Sequence, residues 1–568
     1  MYKNSTGQIK LSGFISEKFD IRKGTEQGHP LSPDLFKIYI RDLSPQLDHE
    51  NCPKLLDQIV SHLLWADDLI LLALDPQTLQ KQLDTLHKFC LEWGIEINAD
   101  KTKLIKFNAR YENKNHVSNM FKIGNHHIEE VSSYCYLGID IHNSGSFSLA
   151  RTQLKKKAMR ALYGIKRSVN KSKLSFRSLT TLFDSLIKPI VLYGAPIYTP
   201  TMSIIKHIAN ELDHSTHPDS KTKSQLSTLR KISLLNCEKV HLHFLKWAMG
   251  VNRKASNAGV WGDSGRYPLL YECMNLTLKY ATRLKNLNDN SLVSLAFREQ
   301  MKLKLDWYRG LEPILAIDPC YTADHVTAFR TSQKISIQTT NESNNTVDAN
   351  ISKPPKEDFL IHNGFKKRIP PQSTKPIGSR MFTTHIVLKA LKCRFRNAWN
   401  TAIKESKKFS FYRELKTNFT KECYLDHVNY ADRSNTTRIR ISAHRLEIEL
   451  GRYNKTPKED RICSWCNIVF GARVIEDEND FLSQCDLNAQ TRQKLLNKIS
   501  MIIANSTSPS VPHSVINTTN FIKLIGKENK IFQTITSEGQ VHLTRIIARF
   551  ISTCLRSRKK FIDSMTKA

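Results

Sequence analysis

The chain has 568 residues, 40% of them hydrophobic and 25 of them phenylalanine, enough apolar surface for packed cores and too much for an unstructured polymer. Lysine and arginine number 85 against 53 acids, a net charge of +32, which favours a polyanionic partner, nucleic acid ahead of an acidic membrane surface. An evenly spread basic surface is the plain alternative, but the charge clusters below.

At ~100–200 residues per domain, this length points to three or four domains. The first residues, MYKNSTGQIKLSGF, lack the apolar stretch of a signal peptide. The most apolar window, Leu182 to Tyr198, is broken by Asp184, Lys188 and two prolines, so no membrane span is expected and an intracellular, nuclear or cytoplasmic, location is. The 12 cysteines are mostly scattered singly, as reduced core thiols would be.

Residues 1 to about 142 mix short strands and helices. Gly24-Thr25-Glu26-Gln27-Gly28-His29-Pro30-Leu31-Ser32-Pro33-Asp34-Leu35-Phe36 opens a helix: its glycines let backbone approach a ligand closely, and Pro30 and Pro33 set the helix entry. Next, Ser61-His62-Leu63-Leu64-Trp65-Ala66-Asp67-Asp68-Leu69-Ile70-Leu71-Leu72-Ala73 reads as a tight hairpin with two adjacent carboxylates at its tip. An ordinary polar turn is the plain explanation. The apolar flanks, however, predict a hairpin buried on most sides, where two acids make better sense if a divalent cation neutralises them. Oxygen ligands alone favour Mg²⁺ or Mn²⁺, the ions of in-line phosphoryl transfer. Asp75 to Gly94 is an amphipathic helix, with Leu79, Leu83, Leu86, Phe89, Cys90 and Trp93 near helical spacing. Then follow Ile97-Asn98-Ala99-Asp100-Lys101-Thr102-Lys103, a strand at 104–107, a loop at His126-His127 and a hairpin at 133–141.

From 145 to about 310 the pattern is helical. Arg151 to Asn170 carries Arg151, Lys155, Lys156, Lys157, Arg160, Lys166 and Arg167 with no acid, a basic helix suited to tracking phosphates. Trp247, Trp261 and Trp307 are expected to be core residues rather than base-stacking platforms. Residues 331–380 are rich in Ser, Thr, Asn and Pro and read by composition as a disordered linker. Beyond them Cys463, Cys466, Asp480 and Cys485 stand as C-x2-C-x13-D-x4-C, a spacing that brings thiolates together as tetrahedral Zn²⁺ needs, with His444 an alternative fourth ligand. Three thiols without metal is the competing reading. Near the end Arg545, Arg549, Arg556, Arg558, Lys559 and Lys560 suggest a second helix with a basic face.

Taken in order, Q-G-x-P-L-S-P-x-L-F from Gln27, Trp65-Ala66-Asp67-Asp68, Asn98 to Thr102 and Tyr136-Leu137-Gly138 resemble the reverse transcriptase of non-LTR (LINE-type) retrotransposons over residues 10 to about 205. The resemblance implies that Asp67 binds the catalytic Mg²⁺ with Asp68 in support. Gln27, Gly28, Pro30, Ser32 and Trp65 would line the nucleotide and template pocket, and Lys101 would stand near the pyrophosphate as a proton donor. Tyr136, Leu137 and Gly138 would form the primer grip. Arg151, Lys155, Lys156, Lys157 and Arg160 would meet the nucleic-acid backbone at the start of the thumb. Such proteins often carry a C-x2-C…H-x4-C knuckle, and here Asp480 takes the histidine's place. Other departures are Trp65 for Tyr or Phe, His29 for Cys, and Thr25-Glu26 for an aliphatic–basic pair.

The expected architecture is α+β: a partial right-hand palm at 1–142, a helical thumb and connection at 143–330, the linker at 331–380, and a basic helical region with a cysteine knuckle at 381–568. The implied reaction is RNA-templated DNA synthesis, with RNA template, DNA primer or target DNA and deoxynucleoside triphosphates as partners. The family's first catalytic aspartate precedes the glutamine–glycine block, and Asp20 matches the strand entering that block instead. The chain is therefore expected to be a fragment of weak or absent activity. A non-catalytic RNA- or DNA-binding remnant is the alternative.

Overall fold

A computed structural model describes residues 5–21, 24–26, 28–47, 51–107, 121–205, 208, 218–287, 291–315, 384–506 and 535–566. The expected linker at 331–380 and Gln27 lie outside these. The chain forms two compact units, Met1–Leu149 with Leu284–Lys304, and Ala150–Arg283 with Leu305–Ala568. Among the described residues no helix is long and apolar enough to cross a membrane.

The first unit is mixed α and β, and each sheet among its described residues has two strands. Helix α1 (Ser32–Tyr39) follows the glycine-rich loop, with Pro33 in its first turn. Strands β1 (His62–Trp65) and β2 (Asp68–Leu71) pair antiparallel, from His62 opposite Leu71 to Trp65 opposite Asp68. Helix α2 (Pro76–Trp93) matches the predicted 75–94 closely, because both ends are written in side chains. Asp75 caps it by accepting from the Thr78 amide at 2.8 Å, and Gly94 ends it at φ +62°. Its apolar face supplies Leu83 and Phe89: Leu83 packs with Phe121, Ile123 and Ile128, and Phe89 with Leu43 and Leu47. Strands β3 (Ser133–Tyr136) and β4 (Ile139–His142) form a second hairpin. His126-His127, expected in a loop, is a short exposed strand pairing with Lys122–Ile123, because Gly124 at φ +56° turns the chain back.

The second unit is helical. Helix α3 (Ser148–Ser168) buries Ala150, Leu154, Ala158 and Leu162, spaced four apart on one face. The apolar 182–198 stretch is a series of short helical pieces, interrupted where Tyr193 turns extended and Gly194 takes φ +70°. Helices α4 (Asn236–Met249), α5 (Asn257–Ser264), α6 (Thr384–Glu405), α7 (Tyr430–Arg440) and α8 (Ser537–Met565) follow. The sequence places a thumb and a C-terminal region on either side of a linker; the described residues of the C-terminal region and most of those of the thumb belong to this one unit, while Leu284–Lys304 belongs to the other.

A buried charged network joins them. Asp263 at the end of α5 accepts from Arg440 Nε of α7 at 3.0 Å, from the Tyr412 hydroxyl at 2.9 Å and from the Tyr424 hydroxyl at 2.7 Å. Glu422 pairs with both Arg440 and Lys416. Burial works against a charged Asp263, yet Arg440 and Lys416 hold its carboxyl below the usual range. Gly262 permits this packing, since a Cβ there would meet the Tyr412 hydroxyl at 2.4 Å and Trp399 at 2.6 Å.

Candidate functional site

The two acids occupy distinct places. Ala66 and Asp67 form the two-residue loop between β1 and β2, while Asp68 is the first residue of β2, opposite Trp65. Ala66 has φ +53°, a conformation that costs a residue with a Cβ roughly 1–2 kcal/mol. That strain puts Asp67 at the apex. The base of the hairpin is anchored: the buried Gln82 side chain of α2 donates to the carbonyls of Leu47 at 3.2 Å and Ser61 at 3.3 Å. The apex is open. Asp67 and Asp68 are exposed, Trp65 is 66% exposed and Leu63 37% exposed. The sequence predicted a hairpin buried on most sides; with two strands and no third beside them among the described residues, only its base and the β2 face are covered.

The second hairpin approaches the first. Leu137 at φ +46° and Gly138 at φ +81° make its turn, and two positive angles in a two-residue loop are the type I′ geometry that suits twisted strands. Burial pushes the Tyr136 phenol up, and the negative charge of Asp68 pushes it further. The segment between the hairpins is a fixed turn. Asn98 accepts from the Lys101 amide at 3.0 Å through its side chain and from the Thr102 amide at 3.1 Å through its carbonyl. Lys101 is exposed on it, whereas Lys103 is tied to Glu129 at 2.7 Å. In the glycine-rich loop Gly28 has φ +86° with open space where a Cβ would be, and Pro30 is exposed. The Ser32 hydroxyl donates to the Glu26 carbonyl at 2.7 Å, closing the loop onto α1.

The donors at the apex are oxygens, which suits a hard cation. Mg²⁺ is commonly held by one or two carboxylates and completed by water and substrate phosphates. Among the described residues no third Asp, Glu or His joins Asp67 and Asp68 in a cluster able to hold a metal. Two carboxylates therefore fit such an ion only as part of its shell.

The basic helix divides. Lys156, Lys157 and Arg160 of α3 are exposed and Lys155 is half-buried. Arg151, expected among them, is half-buried beside Tyr198 and Cys237; burial lowers its pKa, and one terminal nitrogen is enclosed without a hydrogen-bond partner. The C-terminal basic face is likewise reduced. Arg558 of α8 is buried and bidentate to Glu476, with Glu447 beside it, while Arg549 faces Asp432.

Cys463, Cys466 and Cys485 do come together. Their sulfurs all lie within 4.8 Å of one another, Cys463 and Cys466 being 3.9 Å and 3.8 Å from Cys485. Tetrahedral zinc with Zn–S ~2.3 Å sets sulfurs about 3.8 Å apart, so the three fit that ion. The hydrogen bond with Cys485 brings the Cys463 thiol down to about 6, toward the thiolate a metal requires. Asp480 is buried nearby, with Oδ2 enclosed and unpaired; burial first, then the charge of Cys463, pushes its carboxyl up to about 7. Its oxygens are not within 4.8 Å of all three sulfurs. His444 is engaged elsewhere, 2.9 Å from Glu478 and accepting from the Leu446 amide. Trp465, between the first two cysteines, packs edge-on against Phe561 of α8.

Of the three tryptophans expected in the core, Trp261 is buried and donates to Glu238 at 2.7 Å, and Trp307 is half-buried and donates to the Pro196 carbonyl. Trp247 is only half-buried, with lysines over its ring. The signal that marks it, basic residues near an aromatic one, is present in the sequence; the neighbour that completes it, Tyr430, is far along the chain.

Residues 6–141 match the family described as reverse transcriptase (RNA-dependent DNA polymerase). The chain is 29% identical over 142 residues to a transposon-derived protein of Caenorhabditis elegans, covering 25% of this chain and 49% of that protein. It is 25% identical over 203 residues to the RNA-directed DNA polymerase from mobile element jockey of Drosophila melanogaster, covering 34% and 21%. It is 30% identical over 149 residues to the retrovirus-related Pol polyprotein from a type-2 retrotransposable element of the same fly, covering 25% and 14%. The chain thus spans about half the length of the first of these relatives and less of the others.

Proposed function

We propose, taking residues 6–141 as a reverse-transcriptase segment of the non-LTR (LINE-type) retrotransposon family, that this chain acts in RNA-templated DNA synthesis. One observation carries the reading: Asp67 stands at the strained apex of an exposed hairpin, and the Tyr136 hairpin lies close enough to feel its neighbour Asp68. In this reading residues 1–142 are a partial palm and α3 begins the thumb. Bound between Asp67, Asp68 and the nucleotide, Mg²⁺ or Mn²⁺ would lower the pKa of the primer hydroxyl and balance charge on the departing pyrophosphate.

The chain's own residues do the remaining work. Gln27, Gly28, Pro30 and Ser32 line the nucleotide and template side, where a positive-φ glycine lets backbone close on a ligand. Trp65 offers an exposed ring beside the primer end. Tyr136, Leu137 and Gly138 hold the primer, Lys101 gives a proton to the leaving pyrophosphate, and Lys155, Lys156, Lys157 and Arg160 follow the hybrid's phosphates. Arg151 positions α3 from within rather than meeting nucleic acid. The C-terminal cysteines would hold zinc, with Asp480 as the fourth donor after a side-chain shift. A closed site of that kind organises a nucleic-acid-gripping knuckle and leaves no open position for catalysis.

Primer extension on a poly(rA)·oligo(dT) template tests the reading. Synthesis by the wild-type chain that Asp67→Asn abolishes supports it. A second reading, a non-catalytic RNA- or DNA-binding protein, is favoured by one fact: among the described residues Asp67 and Asp68 lack a third metal-binding partner. Template binding without extension, equal in wild type and Asp67→Asn, would select it.

A further inference from the structure

The second unit gathers cations at one place. Lys166 lies near the end of α3 and Lys171 just beyond it; Lys246 and Trp247 lie on α4, and Arg253 in the loop that follows. The Lys166 ammonium is 5.4 Å from the Tyr163 ring centre and 5.5 Å from that of Trp247. Lys171 is 5.7 Å from Trp247 and 4.6 Å from Tyr430, the first residue of α7. Lys246 donates to the Arg253 carbonyl at 2.9 Å. Ring faces and a carbonyl thus stand where carboxylates would ordinarily be. The repulsion is felt by Lys166 and by its neighbour His243 on α4. Burial, Arg253 and Lys171 push the Lys166 ammonium down to about 8, and burial with Lys166, Arg253 and Lys246 pushes His243 down to about 4. No acid counts among the influences on either.

We propose that Lys166, Lys171, Lys246 and Arg253, gathered around Trp247, form a binding site for the phosphates of a single nucleic-acid strand, with the Tyr163, Trp247 and Tyr430 rings beside it for base contact. The proposal rests on the nucleic-acid reading above and extends it to a second place on the chain. A polyanion supplies the charge the cluster lacks, so the repulsion held in the free protein is relieved on binding. Cations interleaved with aromatic faces are the arrangement that holds single strands without regard to sequence. A duplex, its bases already stacked on one another, would leave the rings unused. Tyr430 makes the site dependent on tertiary structure: it joins α7 to Lys171, just beyond α3, in one unit.

The test is fluorescence anisotropy of a labelled single-stranded oligothymidylate with the full chain at several salt concentrations. Lys166→Ala/Lys171→Ala should weaken binding ~10–100-fold and lower the slope of log K against log salt by about 1.4, since each single-strand phosphate contact contributes ~0.7. Trp247→Leu should weaken it ~5–100-fold, the range of one lost base stack, and Trp247→Phe should restore most of the loss. Lys458→Ala, exposed elsewhere, should change nothing. Wild-type affinity and slope in a double variant that melts like the parent would overturn the proposal. So would loss of binding to phosphatidylserine–phosphatidylcholine vesicles with oligonucleotide binding intact, which would assign the cluster to an anionic membrane. If the wild-type chain binds the oligonucleotide through this cluster but extends no primer, the polymerase reading fails and this site stands.

Discussion

The Asp67 hairpin and the Asp263 network both contain acids, and they treat them in opposite ways. Asp67 is exposed at the apex of a two-stranded hairpin whose backbone is strained to present it. Asp263 is wholly buried, pinned by Arg440 and two tyrosine hydroxyls. An acid left exposed in a strained turn costs stability and is available to a ligand. An acid fully satisfied inside contributes to the specificity of packing and is available to nothing. The difference separates an acid open to a ligand from an acid that holds the fold, and substitution makes it measurable.

The largest effect is expected from Arg440→Met. It leaves Asp263 and Glu422 buried beside fewer cations, and breaking such a pair by removing one partner costs ~3–5 kcal/mol. Urea unfolding followed by the fluorescence of the buried Trp261 and Trp399 would read the loss; a shift within 0.5 kcal/mol, the ~0.5 kcal/mol scatter of plain surface changes, would refute it. Asp67→Asn should do the reverse. Extension should fall ~10²–10³-fold, about 2.7–4 kcal/mol on the barrier, with an unfolding midpoint like the parent's. A large fall in stability would show that Asp67 holds as well as acts.

Cys466→Ser sharpens the contrast at the cysteine cluster, where three buried thiols stand together. Elemental analysis of the full chain refolded with zinc should show bound metal lost in this variant. Retention equal to wild type would break the assignment.

The smallest effect is a pH dependence at the cationic cluster. His243, brought down from 6.5 to about 4, is favoured neutral in the folded state. Its contribution to stability is therefore full above 6.5 and is lost as pH falls toward 4. Thermal melts between these values should decline less steeply for His243→Asn than for wild type, and parallel declines would exclude the mechanism.

Much of the first unit was legible along the chain because its signals are local. Helix α2 announces itself by apolar spacing, an Asp cap and a terminal Gly, and the two hairpins by short strands around tight turns. The openness of the Asp67 hairpin was not legible. Whether an apolar strand is covered depends on which neighbours pair with it, and the pattern of β1 and β2 is the same either way. In the second unit Arg151, Arg440 and Arg558 stand in basic stretches and would pass for phosphate contacts, yet all three are withdrawn to some degree from solvent. The cysteine cluster was readable in its three thiols, whereas the isolation of the Asp480 carboxylate and the commitment of His444 to Glu478 were not.

Residue order alone thus carries the polymerase-like motif series, the hairpins that present it, the long amphipathic helix and the overall excess of positive charge. All of these follow from neighbours a few positions apart, where backbone geometry enforces contact. Folding in three dimensions settles which charges are spent inside and which remain outside. Arg440 reaches Asp263 across 177 positions, and Lys171 meets Tyr430 only because α7 packs in the same unit. A charge's energy depends on its desolvation and its nearest partner, and both are properties of space rather than of chain position.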